Sequence, residues 1–564
     1  MSDKGTSEPV PSHSIPQKAT TGLYALIAER HVVGLASFCC IGGFLYGYNL
    51  GIFGGILVMS NFRKTFPSIN NTSMQGLVSS ILNLGAWLGT IQNGWASEQM
   101  GRRKSITFAC FFFVLGIGLQ VGARNAAYHF VGYGSIAINV VLAITWVRRF
   151  LAGFGVGALS VATALYNSEI APTSIRGSLG SLFQLSCELG TLVAFWVDFG
   201  TNNIGGTGDG QSEAAWRVPI SLQLFPCLIL AVGILFAPES PRWLVSQSRE
   251  DEALQELSSL RRLPTTSPEV QVEYLEILGQ YKFQAELERE ERSGATEGTG
   301  WTQSLAVMWH QWSFLFKTAA NRRRVLVGVL VMFFQQWNGI NAVLFYAPSI
   351  FQGLGFTGTT TSLLATGVVG IVMLFATVPT VIYLDRVGRK PTLIVGALIM
   401  GACHIIIAVL SGLYEDSWSF HKTAGWVACV FVWVFSMAFA MTFGPVAWVL
   451  CSEIFPLRAR SKGLSIAASS NWINSFVVGM ATPTMLKNLR FGTYIFFACW
   501  CLIGAIYCLT LPETSGHSLE DMDKAFGDTN NTSEQDKERM ARINTEIGYD
   551  KYLQQQESKE DIQA

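Results

Sequence analysis

Ser168-Glu169-Ile170-Ala171-Pro172, with Arg176 close behind, is answered later in the chain by Ser452-Glu453-Ile454-Phe455-Pro456, with Arg460 close behind. Two further pairs keep the same order. Glu98-Gln99-Met100-Gly101-Arg102-Arg103-Lys104 is matched by Asp385-Arg386-Val387-Gly388-Arg389-Lys390, and Pro238-Glu239-Ser240 by Pro512-Glu513-Thr514. The offsets are 287 residues from Glu98 to Asp385, 284 from Glu169 to Glu453 and 274 from Glu239 to Glu513. A near-constant offset with preserved order marks a duplicated unit.

What is duplicated is a set of six apolar blocks. The first set lies near 32–59, 75–97, 104–123, 140–167, 178–200 and 217–238; the second near 325–351, 361–384, 391–413, 426–451, 460–485 and 492–511. Each block is long enough to cross a hydrocarbon core of about 30 Å as a helix. The fold class expected is an all-α membrane protein of twelve transmembrane helices in two parallel halves, a design that places a solute site between the halves near the midplane. The divisions are an N-terminal tail (1–31), a six-helix half (32–239), a polar linker (240–323), a second six-helix half (324–512) and a polar C-terminal tail (513–564). Helical periodicity over Asp251–Arg262 and Val270–Glu288 predicts short helices in the linker, whereas the tail is expected to be mobile.

Composition narrows the function classes. Of 564 residues, 50% are hydrophobic and only 14% charged, with a mean hydropathy of +0.34 and zero formal net charge. Nucleic acid is therefore not an expected partner; the lipid bilayer is. Eleven cysteines sit in apolar blocks without CxxC pairs or spaced histidines, and read as small buried hydrophobes rather than metal ligands. No P-loop or metal spacing is present, so neither an enzyme nor a cofactor is expected. Short loops around Arg102, Arg386–Lys390 and Arg458–Lys462 carry more cations than the loops of the other side, which places them and both termini in the cytoplasm. The loop after the first block then faces outward, and Asn70-Asn71-Thr72-Ser73 holds two overlapping glycosylation sequons.

The seventh block contains Gln335-Gln336-Trp337-Asn338-Gly339-Ile340-Asn341. Buried amides cost several kcal/mol unless partnered, so four in one span require a reason. On a continuous helix they spread over one broad face. They either bond neighbouring helices together or line a path for a neutral, hydroxyl-rich solute. The repeated acids and arginines at helix ends (Glu98, Arg102, Glu169, Arg176 and Glu239; Asp385, Arg389, Glu453, Arg460 and Glu513) read as an ionic network that can break when the halves rock apart.

Leu151-Ala152-Gly153-Phe154-Gly155-Val156-Gly157, with Tyr166, Glu169 and Arg176, resembles a signature of the sugar porter family of the major facilitator superfamily. Pro238 to Leu244 and Gln335 to Tyr346 fit the same family, and Gly444-Pro445-Val446-Ala447-Trp448 and Trp196 to Thr201 are similar to its fungal monosaccharide (hexose) transporters. The resemblance implies the major facilitator fold and alternating-access transport of a small-molecule sugar such as glucose. It also implies substrate contacts at Gln184, Gln335, Gln336, Asn341, Trp448, Asn471 and Trp472. Amides can bond paired hydroxyls in both directions, and an indole offers a flat face and an N–H.

Three departures from the family pattern stand out. Glu98-Gln99 replaces the usual acid and basic residue of the first-half loop, Met373 replaces a common sugar-binding asparagine, and Asn49 stands where proton-coupled relatives carry an aspartate paired to the arginine here numbered Arg149. An asparagine cannot ionise, so facilitated uniport is expected, with protons as partners only if another acid, Asp198 or Glu188, serves. Alternatives are a non-transporting sugar sensor and a carrier of pentose, polyol, quinate or disaccharide.

Overall fold

A computed structural model describes residues 29–122, 136–172, 175–293, 312–313, 315–356, 358–455, 460–514, 522, 525–527 and 532–563. Among the described residues there is no strand, and twelve helical crossings follow one another. The first half holds spans 1 to 6: Arg30–Ile56, Thr72–Met100, Arg102–Val121, Ile136–Ile170, Arg176–Thr201 and Ala214–Phe236. The second holds spans 7 to 12: Ala319–Gly353, Thr359–Val387, Arg389–Tyr414, Lys422–Glu453, Arg460–Asn488 and Gly492–Leu509. Their outer faces carry exposed Phe111, Phe225, Phe236, Phe375 and Leu413, an apolar belt suited to hydrocarbon.

The glycine run of span 4 has a direct packing role. A β-carbon on Gly153 or Gly157 would overlap the backbone of span 2 at Leu82 or Ala86, and one on Gly155 would overlap span 3 at Phe113. Three glycines at alternate positions thus let one helix meet two neighbours at backbone distance, as small residues do in membrane bundles. The halves also touch each other closely on the side away from the linker. Gly76 of span 2 packs on Met480 of span 11, Gly370 of span 8 on Leu192 of span 5, and Gly54 of span 1 on Leu344 of span 7. The helices of the two halves therefore meet at backbone distance on that side.

Two expectations need correction. Span 7 is not one continuous helix: it stops at Trp337, turns through Gly339 at φ +96°, and restarts at Ile340. Only glycine adopts that backbone without strain. The amides around the break therefore do not share a single helical face, and Asn338 Oδ1 is spent accepting from Ile340 N at 3.0 Å, which caps the new helix.

The tail is not a loose strand either. It forms helices Thr532–Glu546 and Tyr549–Gln563, and the first lies on the linker helix Pro268–Ser293. Ile543 is fully buried against Phe283 and Leu287. Around this apolar contact, Arg539 pairs with Glu290 at 2.8 Å and Arg542 with Glu286 at 2.6 Å. The Tyr549 hydroxyl donates to Glu276 at 3.2 Å, and burial together with that carboxylate pushes its phenol up to about 12. The polar composition hid an apolar stripe only a few residues wide.

Candidate solute site and its ionic supports

The two halves supply the candidate site from spans 1, 2, 5, 7, 10 and 11. Before its break, span 7 directs Gln335 toward spans 10 and 11. Gln335 Nε2 donates to the carbonyls of Phe443 at 2.8 Å and Gly444 at 3.1 Å, and its oxygen accepts from Asn471 Nδ2. After the break, Asn341 Nδ2 reaches Gln336 Oε1 and Ser475 Oγ, the latter at 2.7 Å. Ser475 also accepts from Asn83 Nδ2 at 2.8 Å, so a hydrogen bond from span 2 to span 11 joins the halves through this cluster. Asn83 was not among the residues expected from sequence. A lone amide between Leu82 and Leu84 in an apolar block is the signal that could have found it.

Trp472, next to Asn471, is buried and meets Tyr46 of span 1 edge-on, with ring centroids 5.3 Å apart. Trp448 is half-buried, and its indole N–H bonds no described group. On the opposing half, Gln184 Nε2 donates to Glu188 Oε1 at 2.8 Å, one turn along span 5. The structure thus joins Gln335 to Asn471 and Gln336 to Asn341, and gives Gln184 a carboxylate partner that the sequence did not assign. Met373 is buried in span 8.

Asn49 and Arg149 are not brought together. Asn49 Nδ2 bonds Gln223 Oε1 of span 6 and the Leu45 carbonyl. Arg149 is buried with its guanidinium 3.3 Å above the Phe53 ring centre, and donates to the Ser79 carbonyl at 3.2 Å. Asp198 is fully buried, its carboxylate lying against Gly55 of span 1.

The repeated motifs build the same device twice. Arg102 holds Glu169 at two points, Nε to Oε2 at 2.8 Å and Nη2 to Oε1 at 2.7 Å, while Arg389 Nη2 meets Glu453 at 2.8 Å. Glu239 and Glu513 also accept from backbone N–H groups. Glu239 Oε1 accepts from the backbone N–H of Arg102 at 3.0 Å, and Glu513 Oε1 from that of Arg389 at 2.9 Å. Each carboxylate thereby sits at the N-terminus of span 3 or span 9, where free N–H groups and the helix dipole favour an anion. Trp243 Nε1 donates to the Glu98 carbonyl at 2.9 Å, tying the linker to span 2. The side chains of Arg176, Asp385 and Arg460 lie outside the described residues.

Comparison with known proteins agrees with this architecture. The family model described as "Sugar (and other) transporter" matches residues 35–526. The chain is 32% identical over 502 residues to a probable quinate permease of Aspergillus niger, covering 87% of each protein. It is 31% identical over 519 residues to sugar transport protein 13 of Arabidopsis thaliana, covering 88% of this chain and 89% of that one. Among solved structures it resembles the major facilitator superfamily proton:xylose symporter XylE bound to 6-bromo-6-deoxy-D-glucose, with a TM-score of 0.66 and 27% identity over 88% of this chain and 99% of that one. A twelve-helix bundle with a duplicated half, a buried amide cluster between the halves and a family match over most of its length place this chain in the sugar transporter family of the major facilitator superfamily, as a multi-pass membrane transporter and not an enzyme.

Proposed function

We propose that the chain carries monosaccharides, hexoses such as glucose first, across the plasma membrane by facilitated uniport, with both termini cytoplasmic and Asn70 or Asn71 available outside for glycosylation. The observation that carries the substrate class is the amide cluster of Gln335, Gln336, Asn341 and Asn471, with Trp472 beside it: a set of neutral donors and acceptors suits hydroxyls better than charge. Uniport is supported by Asn49, whose amide bonds Gln223 and Leu45 and has no proton to exchange. Alternating access is supported by the close backbone contacts between the halves on one side and by the Arg102–Glu169 and Arg389–Glu453 pairs, each within one half, on the other.

Symport is the second reading, favoured by Asp198, a fully buried carboxylate in span 5 packed against Gly55 of span 1. Uptake of labelled glucose by purified protein in liposomes, with and without an inward proton gradient, separates the two. Equilibration to equal concentrations regardless of the gradient is the uniport result; accumulation driven by the gradient overturns it in favour of symport.

A further inference from the structure

Glu188 stands out among the buried ionisable groups because it touches a residue of the solute site. It is 4% exposed, and its Oε1 is held by Gln184 Nε2 at 2.8 Å. Its Oε2 receives no donor from any described residue. Along span 5, Cys187, Gly190, Thr191, Ala194 and Asp198 pack against span 1, at Gly47, Phe44, Gly51 and Gly55. Leu192 and Trp196 pack against span 8, at Gly370 and Gly367. Helical phase puts Gln184 and Glu188 between those two contact faces, toward the second half.

Among the described residues, the groups facing Glu188 carry no positive charge. From span 1 its electrostatic neighbour is Tyr46, the residue that also meets Trp472; Cys187 adjoins it on its own helix. Span 8 has no ionisable side chain from Thr359 to Thr380, and span 10 presents none between Phe443 and Leu450. Tyr48, also of span 1, points away to the Pro219 carbonyl of span 6. Arg149, the buried cation of the same half, is committed to Phe53 and Ser79.

We propose that Glu188 sets the solute class: its carboxylate admits neutral polyhydroxy compounds and rejects those that carry a carboxylate of their own. The proposal rests on the carrier reading above and goes beyond it by naming the residue that discriminates. A sugar hydroxyl can donate to the open Oε2 while Gln184 supplies a donor and an acceptor beside it. A solute carboxylate would meet a like charge in a site with little water to screen it and no cation among the described residues to offset it. Relatives that include probable quinate permeases make this discrimination a real choice within the family.

Quinate and its uncharged methyl ester, which share a ring and differ in charge, are the probes. The full chain is reconstituted in liposomes, and each compound competes for entry of labelled glucose, xylose and galactose at pH 7.5. The methyl ester is expected to compete at concentrations at least about tenfold lower than quinate, and Glu188→Gln to shrink that gap about fivefold or more. Glu188→Asp keeps the charge and should keep most of the gap, which a purely structural role for the side chain would not do. A gap that is unchanged in Glu188→Gln, equal competition by both compounds in the native protein, or competition by neither overturns the proposal while sugar flux leaves the carrier reading standing. Entry of labelled quinate without entry of any labelled sugar overturns both together.

Discussion

Asn471 and Gln335 hold each other across the interface of spans 11 and 7, and Gln335 in turn donates to two span 10 carbonyls, Phe443 at 2.8 Å and Gly444 at 3.1 Å. One side chain thus ties together three helices of the second half at the level of the candidate solute site. Gln335→Ala removes the donor and leaves both carbonyls short of a partner, a loss of about 1–3 kcal/mol for buried groups. Sugar binding should fall at least about tenfold, with the protein still inserted and expressed. Equilibrium counterflow, alongside surface expression of the variant, measures this; unchanged uptake would place the site elsewhere.

Asn49→Asp puts an ionisable group against Gln223, one turn from the Phe53 ring on which Arg149 rests. Transport by the variant should acquire a pH dependence between pH 5 and 8 stronger than that of the native protein. Uptake at a series of pH values on both sides of the liposome checks it. A flat profile in the variant would mean that a carboxylate here neither reaches Arg149 nor takes up a proton during the cycle.

Glu169→Gln leaves Arg102, only 11% exposed, without its two-point partner. A buried charge stripped of its partner costs about 3 kcal/mol or more, so the melting temperature in detergent should drop by several degrees. Arg102→Lys retains the charge but not the paired geometry, and should recover only part of the loss. By the same comparison Glu239→Ala should cost about 1 kcal/mol, the scale of a lost helix cap, since it acts on backbone N–H groups and not on an arginine side chain.

Gly339→Ala forces a β-carbon into a backbone at φ +96° and to 2.9 Å from the Phe497 ring. Strain of this kind costs about 1–3 kcal/mol. The variant should melt earlier and transport more slowly, measured by thermal unfolding and initial uptake rate.

The tail contact is testable by hydrogen exchange. Ile543→Asp should expose the Thr532–Glu546 helix to fast exchange, because it buries a charge between Phe283 and Leu287. High salt alone should loosen the helix less, since the ion pairs at Glu286 and Glu290 are partly exposed and contribute little individually. The raised phenol of Tyr549 has its own sign. Its neutral form is favoured in the docked state, so this contribution is full below the ordinary tyrosine value near 10 and is lost as pH rises through about 12.

The twelve crossings and the duplicated halves were legible because apolar length and motif spacing are one-dimensional signals. The ten most apolar crossings stand out by length and hydropathy, and the two others, Thr72–Met100 and Arg460–Asn488, are diluted by polar residues such as Asn83, Asn471 and Ser475 that form the site cluster. That Arg102 and Glu169 belong to one ionic network followed from the repeats. The cap made by Glu239 did not, because an acid near a helix end reads the same whether it meets a guanidinium or an N–H. The break at Gly339 is hidden because its flanks are helical on both sides, and the Gln184–Glu188 contact because a buried acid reads as a proton carrier as readily as a hydrogen-bond partner.

The linker leaves the first half after span 6, and the tail leaves the second half after span 12. Their helices meet at Ile543 and Phe283, which closes the polypeptide into a ring: the halves are tied once by the covalent chain and again by a detachable clasp. Any rocking of one half against the other must either carry the clasp along as a rigid passenger or undo it. A protein fused to the C-terminus, or one that grips the tail, therefore pulls on both halves at once.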